Sequence, residues 1–297
     1  MSERSKVLVI IGPTASGKSD LAVKLAKKFN GEIISADSRQ VYKRLNIGTG
    51  KVTKKEMGGI RHHLLNVVDP GKQFSVSEYK KLAENSLAII VRKNKLPIVV
   101  GGTGFYIDAI TGKVNFPDVP PNKLLRKKLD KLSVEKLFSM LKKKDLKRAR
   151  TIDRHNKVRL VRALEIIDAL GKVPSILVFS RTPEYKFVYI GLKPDNLDER
   201  IYKRLVRRLP GIIREVKKLY TQGLSWKRMH ELGLEYRYVA MYLQDKLDKP
   251  NMVNKLYKAI RQYSKRQRLW FKRNKKIRWF RPTETTLIGR YVKQFLR

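Results

Sequence analysis

Residues 7–11 (VLVII) are apolar throughout and stop at Gly12, the pattern of a buried strand. Over 17–29 the apolar positions move to helical spacing, at Leu21, Leu25, Ala26 and Phe29. Residues 32–36 read as a second strand that delivers Asp37-Ser38 at its carboxyl end. Ser75-Val-Ser-Glu78 has capping-box spacing and opens a predicted helix through about Lys93. Residues 97–100 are a third strand, halted by Gly101-Gly102. Strands alternating with helices predict a parallel α/β sheet, whose ligands gather beyond the carboxyl ends of the strands.

Near 118 the pattern changes. Pro117, Pro120 and Pro121 mark a boundary, and the sequence to about 180 is helical and very basic. Residues 186–192 (KFVYIGL) return to a strand pattern. The expectation is a catalytic core of 1–117 and 182–297, interrupted by a helical insertion over 118–181. Beyond Asp195 the chain is mostly helical, with 277–280 as a late strand. No repeat of 20–50 residues and no low-complexity tract is visible.

Charge adds a partner to this picture. Of 297 residues 68 are Lys or Arg and 26 are Asp or Glu, a net charge of +42. Self-repulsion on that scale points to polyanions, with nucleic acid first and phosphate substrates second. A lysine-rich background composition is the plain alternative. There is no cysteine, which excludes disulfides, thiolate catalysis and cysteine zinc sites. The apolar runs are strand-length, far short of the roughly 20 residues of a spanning helix. No secretory h-region follows Met1, so the expected location is the cytoplasm.

Candidate chemistry begins at Gly12. The segment Gly12-Pro-Thr14-Ala15-Ser16-Gly17-Lys18-Ser19 fits G-x-x-x-x-G-K-[ST] between a strand and a helix. Backbone N–H groups of such a loop curl around an anion, and the helix N-terminus adds a favourable dipole. Lys18 is expected at terminal phosphate oxygens and the Ser19 hydroxyl on Mg²⁺. The loop alone leaves a kinase, an NTPase and a diphosphate-releasing transferase open.

Two further clusters sit at strand ends. Asp37-Ser38-Arg39-Gln40 places a carboxylate where it faces the phosphate loop, as general base or magnesium partner; a helix N-cap is the structural alternative. Gly101-Gly102-Thr103-Gly104 permits close ligand approach and aims the Thr103 hydroxyl into the same crevice, or simply caps a helix. An ATPase would commonly end this strand in an acidic magnesium ligand; here it ends in Gly-Gly-Thr.

In this order and spacing the three clusters resemble the tRNA dimethylallyltransferase (tRNA isopentenyltransferase) family. Gly48-Thr-Gly-Lys51, His62-His63-Leu64, residues 156–174 with their N-x-x-R-x-x-R-A-L-E pattern, and Arg261-Gln-Tyr-Ser-Lys-Arg-Gln267 with Trp270-Phe271 extend the likeness over most of the chain. The resemblance implies a P-loop NTPase-like parallel sheet flanked by helices, with a helical insertion that grips the tRNA anticodon stem-loop. It implies transfer of a dimethylallyl group from dimethylallyl diphosphate to N6 of the adenosine 3′-adjacent to the anticodon. Carried over by motif, Gly12, Thr14, Ala15, Ser16, Gly17, Lys18, Ser19 and Arg237 hold the diphosphate and its Mg²⁺. Asp37 takes the N6 proton, and Thr103 contacts the leaving diphosphate.

The expected tRNA-binding residues are Ser38, Gln40, Arg159, Arg162, Arg261, Gln262, Lys265, Arg266, Gln267 and Arg268. Residues 254–281 carry twelve basic and no acidic side chains, and Arg261, Lys265, Arg268 and Lys272 recur at helical spacing. Tyr263, Trp270 and Phe271 are read as packing the helix to the core before stacking bases. Arg159 and Arg162 are equally placed to meet RNA or to pair with Glu165. His62 and His63 are read as hydrogen-bonded loop residues in preference to metal ligands. Three departures from the family pattern stand out: Glu235 before Tyr236-Arg237, Val52 after Lys51, and Leu209-Pro210-Gly211, expected to interrupt a helix. The protein is expected to act as a monomer. Rival readings are prenylation of free adenine nucleotides, a small-molecule kinase, and a non-enzymatic RNA-binding protein.

Overall fold

The computed structural model describes residues 5–114, 117, 119–174 and 185–297. The strands are β1 (Lys6–Ile11), β2 (Gly31–Ser35), β3 (His62–His63), β4 (Leu96–Gly101), β5 (Lys186–Leu192) and β6 (Ile277–Phe280). They form one parallel sheet in the order β3-β2-β4-β1-β5-β6. Because β2, β4 and β1 are neighbours and parallel, their carboxyl ends lie side by side. The three polar clusters therefore emerge at one edge of the sheet.

The helices in chain order are α1 (Lys18–Lys28), α2 (Lys54–Met57), α3 (Val76–Arg92), α4 (Gly104–Ile110), α5 (Lys123–Leu129), α6 (Val134–Lys144), α7 (Leu146–Ala149), α8 (Lys157–Leu170), α9 (Leu197–Thr221), α10 (Trp226–Leu232), α11 (Leu234–Tyr242), α12 (Lys249–Lys272) and α13 (Thr285–Leu296). Alternate residues of β1 face opposite ways. Val7, Val9 and Ile11 share a core with Leu87 and Ile90 of α3 and with Ile212 and Val216 of α9. Leu8 and Ile10 pack with Leu21 and Leu25 of α1 and Ile288 of α13. Cover on both faces explains why the strand reads as an unbroken apolar run. The capping box that opens α3 forms as its spacing predicts, Ser75 Oγ accepting from Glu78 N and Glu78 Oε2 accepting from Ser75 N.

Two expectations are corrected. The His pair lies in no loop: His62 and His63 form the short strand β3, in register with Ile33 and Ile34 of β2. Two residues are too few for any alternation to show. Nor does Pro210 interrupt its helix, since α9 runs unbroken from Leu197 to Thr221. Proline's fixed φ suits a helix, so the loss is one backbone hydrogen bond and some crowding. Buried Leu209, Ile212 and Val216 anchor the helix on either side of it.

The chain divides into two compact units, Met1–Gly112 with Thr182–Arg297, and Lys113–Arg181. The limits read from sequence at 118 and 181–182 fall outside the described residues. The smaller unit holds α5 to α8 around Leu129, Leu137, Leu141, Leu160 and Leu164. At its edge the buried Glu165 accepts from Arg126 Nε at 2.8 Å, from the Asn122 amide at 2.7 Å and from Arg162 Nη1. Against the burial that would raise it, these donors hold the Glu165 carboxyl down to about 2. Of the two readings left open for Arg162, the ion pair is therefore the one realised. Arg159 is exposed.

Candidate active site

The loop after β1 begins at Gly12, whose φ of 149° and closeness to β5 suit only glycine; a Cβ there would lie 2.8 Å from the Leu192 carbonyl oxygen. Gly17, with φ 88°, turns the chain into α1. Ser16 is fully buried inside the loop. Lys18 folds back over it, Nζ donating to the Pro13 carbonyl at 2.6 Å and to Ser16 Oγ at 3.4 Å. Burial pushes the Lys18 pKa down to about 7, the Arg204 guanidinium adds to this, and Asp37 opposes it.

Beyond β2, Asp37 Oδ1 accepts from the Arg39 amide at 2.8 Å and from the Gln40 amide at 3.2 Å. No helix follows, so the N-cap alternative does not hold: the two amides belong to a turn over 38–41, and they fix the carboxylate in place. Beyond β4, Thr103 begins α4 without a side-chain cap. Its Oγ1 instead accepts from the Ser38 amide at 3.0 Å, so the second and third clusters are joined directly. Burial, with the Asp37 charge adding to it, lifts the hydroxyl of Tyr263 in α12 to about 12, and Thr103 opposes the shift.

Thr14, Ala15, Lys18, Ser19, Asp37, Ser38, Gln40, Gly102, Arg237, Arg266 and Gln267 all line one cavity of about 450 Å³. Most of the residues singled out for donor and catalysis therefore converge. Arg237 is otherwise exposed and donates to the His230 carbonyl at 3.0 Å. Arg261, Gln262, Lys265 and Arg268 open elsewhere, on a groove of about 1180 Å³ running from Pro13 and β5 along α12 with Lys258 and Lys272. Arg261 pairs with Asp198 at 2.6 Å, a counter-charge from α9 that the sequence of α12 alone does not reveal.

Gln267 requires a correction. Sequence sets it among RNA contacts, yet it is buried, its Oε1 accepting from the Thr14 amide at 2.9 Å and its Nε2 donating to the Gly102 carbonyl at 2.9 Å. The buried positions of α12 (Ile260, Ser264, Gln267, Phe271) recur at helical spacing on its inward face, which is why an RNA-facing motif contributes a core side chain. Trp270 donates to Asp108 Oδ2 at 2.8 Å and Phe271 is buried, so both pack the helix as read.

Sequence reasoning missed the cationic wall of α9. Arg200, Arg204 and Arg208 are spaced by four and share one face. Arg200 Nε donates to the Ala15 carbonyl at 2.9 Å, Arg204 reaches the Gly50 carbonyl at 3.4 Å and Arg208 the Gly48 carbonyl at 2.8 Å. The spacing was visible, but among 68 basic residues it did not stand out. From sequence, Glu235 stands out only as a departure from the family pattern. It lines the cavity beside Arg204, and burial raises its pKa while Arg208 and Arg204 restrain the shift and Asp37 adds to it. Glu215 accepts from the amides of Asn46, Ile47 and Gly48, and Lys51 donates to Tyr42, Asn46 and Asn66. Both are scaffolding for the 46–51 loop. His62 Nδ1 bonds the Ile60 carbonyl at 2.9 Å and His63 Nε2 the Glu32 carboxylate at 2.7 Å.

A glycine-turned loop at a strand–helix junction, with a fixed carboxylate and Arg204 around one cavity, defines a P-loop-like α/β protein, and such a loop is suited to an anion. The comparisons give the family. The model for IPP transferase matches residues 40–274. A tRNA dimethylallyltransferase of Anoxybacillus flavithermus is 39% identical over 98% of this chain and 95% of its own. One from Geotalea uraniireducens is 41% identical over 90% and 88%. The crystal structure of a full-length tRNA isopentenylpyrophosphate transferase from Bacillus halodurans is similar at TM-score 0.73 and 34% identity, covering 98% of this chain and 96% of that one. A eukaryotic dimethylallyltransferase acting on tRNA gives TM-score 0.81 at 28% identity, over 98% and 77%. The chain belongs to the tRNA dimethylallyltransferase family. Among the described residues, no helix is long and apolar enough to cross a membrane.

Proposed function

We propose that the chain binds dimethylallyl diphosphate on the loop 12–19 and transfers its dimethylallyl group to N6 of the adenosine 3′-adjacent to the tRNA anticodon, releasing diphosphate. The observation that carries this reading is the convergence of Lys18, Asp37 and Gly102 at one cavity also lined by Arg204 and Arg237, with Thr103, next to Gly102, bonded to Ser38 of the same lining. The N6 lone pair attacks the allylic carbon, the carbon–oxygen bond breaks, and its electrons pass to the diphosphate. Lys18, Arg204 and Arg237 offset the charge that develops there, with Thr103 at the leaving oxygen. An exocyclic adenine amine is weakly nucleophilic because its lone pair is delocalised into the ring. Asp37, held by two backbone amides, accepts its proton as attack proceeds.

Magnesium suits this donor set. It favours hard oxygens, keeps several waters, and is commonly held by one or two protein oxygens with substrate phosphates. Ser19 offers an exposed hydroxyl on the cavity wall that also carries Asp37, whereas no cluster of three His, Cys, Asp or Glu exists among the described residues. Ser19 would hold the ion, which would neutralise diphosphate charge. The exposed Lys265, Arg266 and Arg268 supply phosphate contacts to tRNA, together with Ser38 and Gln40 at the cavity mouth. A tRNA substrate also fits a cytoplasmic monomer.

The test is calorimetric titration of dimethylallyl diphosphate into the wild type and Lys18→Ala, with and without Mg²⁺. The expected result is binding weakened about tenfold or more by the substitution. Equal affinities would place the diphosphate elsewhere.

A further inference from the structure

The cradle for the diphosphate and the hydroxyl assigned to its leaving oxygen sit on different loops, after β1 and β4. A displacement needs the two at a fixed separation, since small errors of placement are expensive in rate. One side chain spans the gap. Gln267 takes the Thr14 amide on one loop and gives to the Gly102 carbonyl on the other, both at 2.9 Å, one residue from Thr103. The fit is close, because a Cβ on Gly102 would lie 2.1 Å from Gln267 Nε2. The amide uses one donor and one acceptor in the same plane, which neither a carboxylate nor an ammonium group reproduces. Gln267 is buried, with 6% of its surface exposed, so both bonds lie largely out of solvent.

We propose that Gln267 is a positioning residue for the transfer step: it sets the spacing between the phosphate loop and Thr103, and acts on the reaction through Thr103. This rests on the assignment of Thr103 to the leaving diphosphate. It also separates Gln267 from its neighbours Lys265, Arg266 and Arg268, whose exposed side chains are free to meet RNA.

The experiment measures kcat, KM for tRNA and melting temperature for Gln267→Leu, Gln267→Glu, Thr103→Ala and the double variant Gln267→Leu/Thr103→Ala. Leucine keeps the volume and loses both bonds, whereas ionised glutamate, assayed at alkaline pH, keeps the acceptor for Thr14 and loses the donor to Gly102. The expected result is a kcat about tenfold or more lower for Gln267→Leu, an intermediate kcat for Gln267→Glu, and KM for tRNA within about threefold of wild type. On the Thr103→Ala background, Gln267→Leu should cost little further, because residues acting as a unit are non-additive. A loss confined to KM for tRNA, or full additivity in kcat, overturns the proposal. Slow Thr103→Ala with unimpaired Gln267→Leu refutes it while leaving Thr103 in its role. Unimpaired Thr103→Ala overturns the Thr103 assignment and with it this proposal.

Discussion

At the scale of single residues, two charges face each other across the cavity and set its chemistry. Asp37 is fixed by the amides of Arg39 and Gln40. Asp37→Ala is expected to lower turnover by about 10²-fold or more while RNA affinity changes little; unimpaired turnover would remove Asp37 from the reaction. Lys18, its pKa depressed to about 7 by burial, is largely neutral in the empty site at alkaline pH. A diphosphate favours the charged form, so binding takes up a proton above pH 7. Affinity should therefore fall as pH rises from about 7 towards the ordinary lysine value, by up to about tenfold per pH unit. Titrations in buffers of different ionisation enthalpy detect the uptake, and Lys18→Ala should abolish it. The clusters that hold Lys18, Asp37 and Thr103 were legible because each follows the carboxyl end of a buried strand. Glu235 and Arg204 were not, since their importance comes from burial beside other charges, which no spacing encodes.

Individual elements explain most of what sequence reasoning got right and wrong. The strands β1, β2, β4 and β5 and the helices α1 and α3 follow from apolar runs, glycine stops and one capping box. The strand β3 was lost because two residues carry no period, and α9 was expected to break because Pro210 was weighed without the apolar residues that anchor it. The helix α12 is the instructive case. Its basic stripe was legible, but its motif divides between two faces: Arg261, Lys265 and Arg268 look onto the outer groove, while Gln267 turns inward. Neutralising Lys265 and Arg268 should reduce the salt slope of tRNA binding by about 1 to 2 in log–log units. An unchanged slope would make the stripe a solvated face with no phosphate contact.

At the scale of the whole molecule, two compact units carry separate stabilising devices. The larger buries a parallel sheet on both faces. The smaller, among its described residues, packs α5 to α8 and buries Glu165, whose carboxyl is held down to about 2 against an ordinary 4.5. A depressed carboxyl contributes stability that is complete above about 4.5 and is lost as pH falls towards 2. Thermal unfolding of the protein should show that loss over the same window, and Glu165→Gln should flatten it while costing about 2–3 kcal/mol at neutral pH. A pH profile unaltered by the substitution would contradict this role. The net charge of +42 fits a polyanionic partner, yet the half-buried Lys18 and Arg204 that line the cavity owe their effect to position, not to number. The central claim is prenyl transfer to tRNA. Its most direct measurement incubates the protein with Mg²⁺, dimethylallyl diphosphate and unmodified tRNA, with AMP, ADP and ATP in a parallel reaction, then digests the RNA and weighs its nucleosides. N6-dimethylallyladenosine from tRNA alone is the predicted result; prenylation of the free nucleotides, or no product from cognate tRNA, would contradict it.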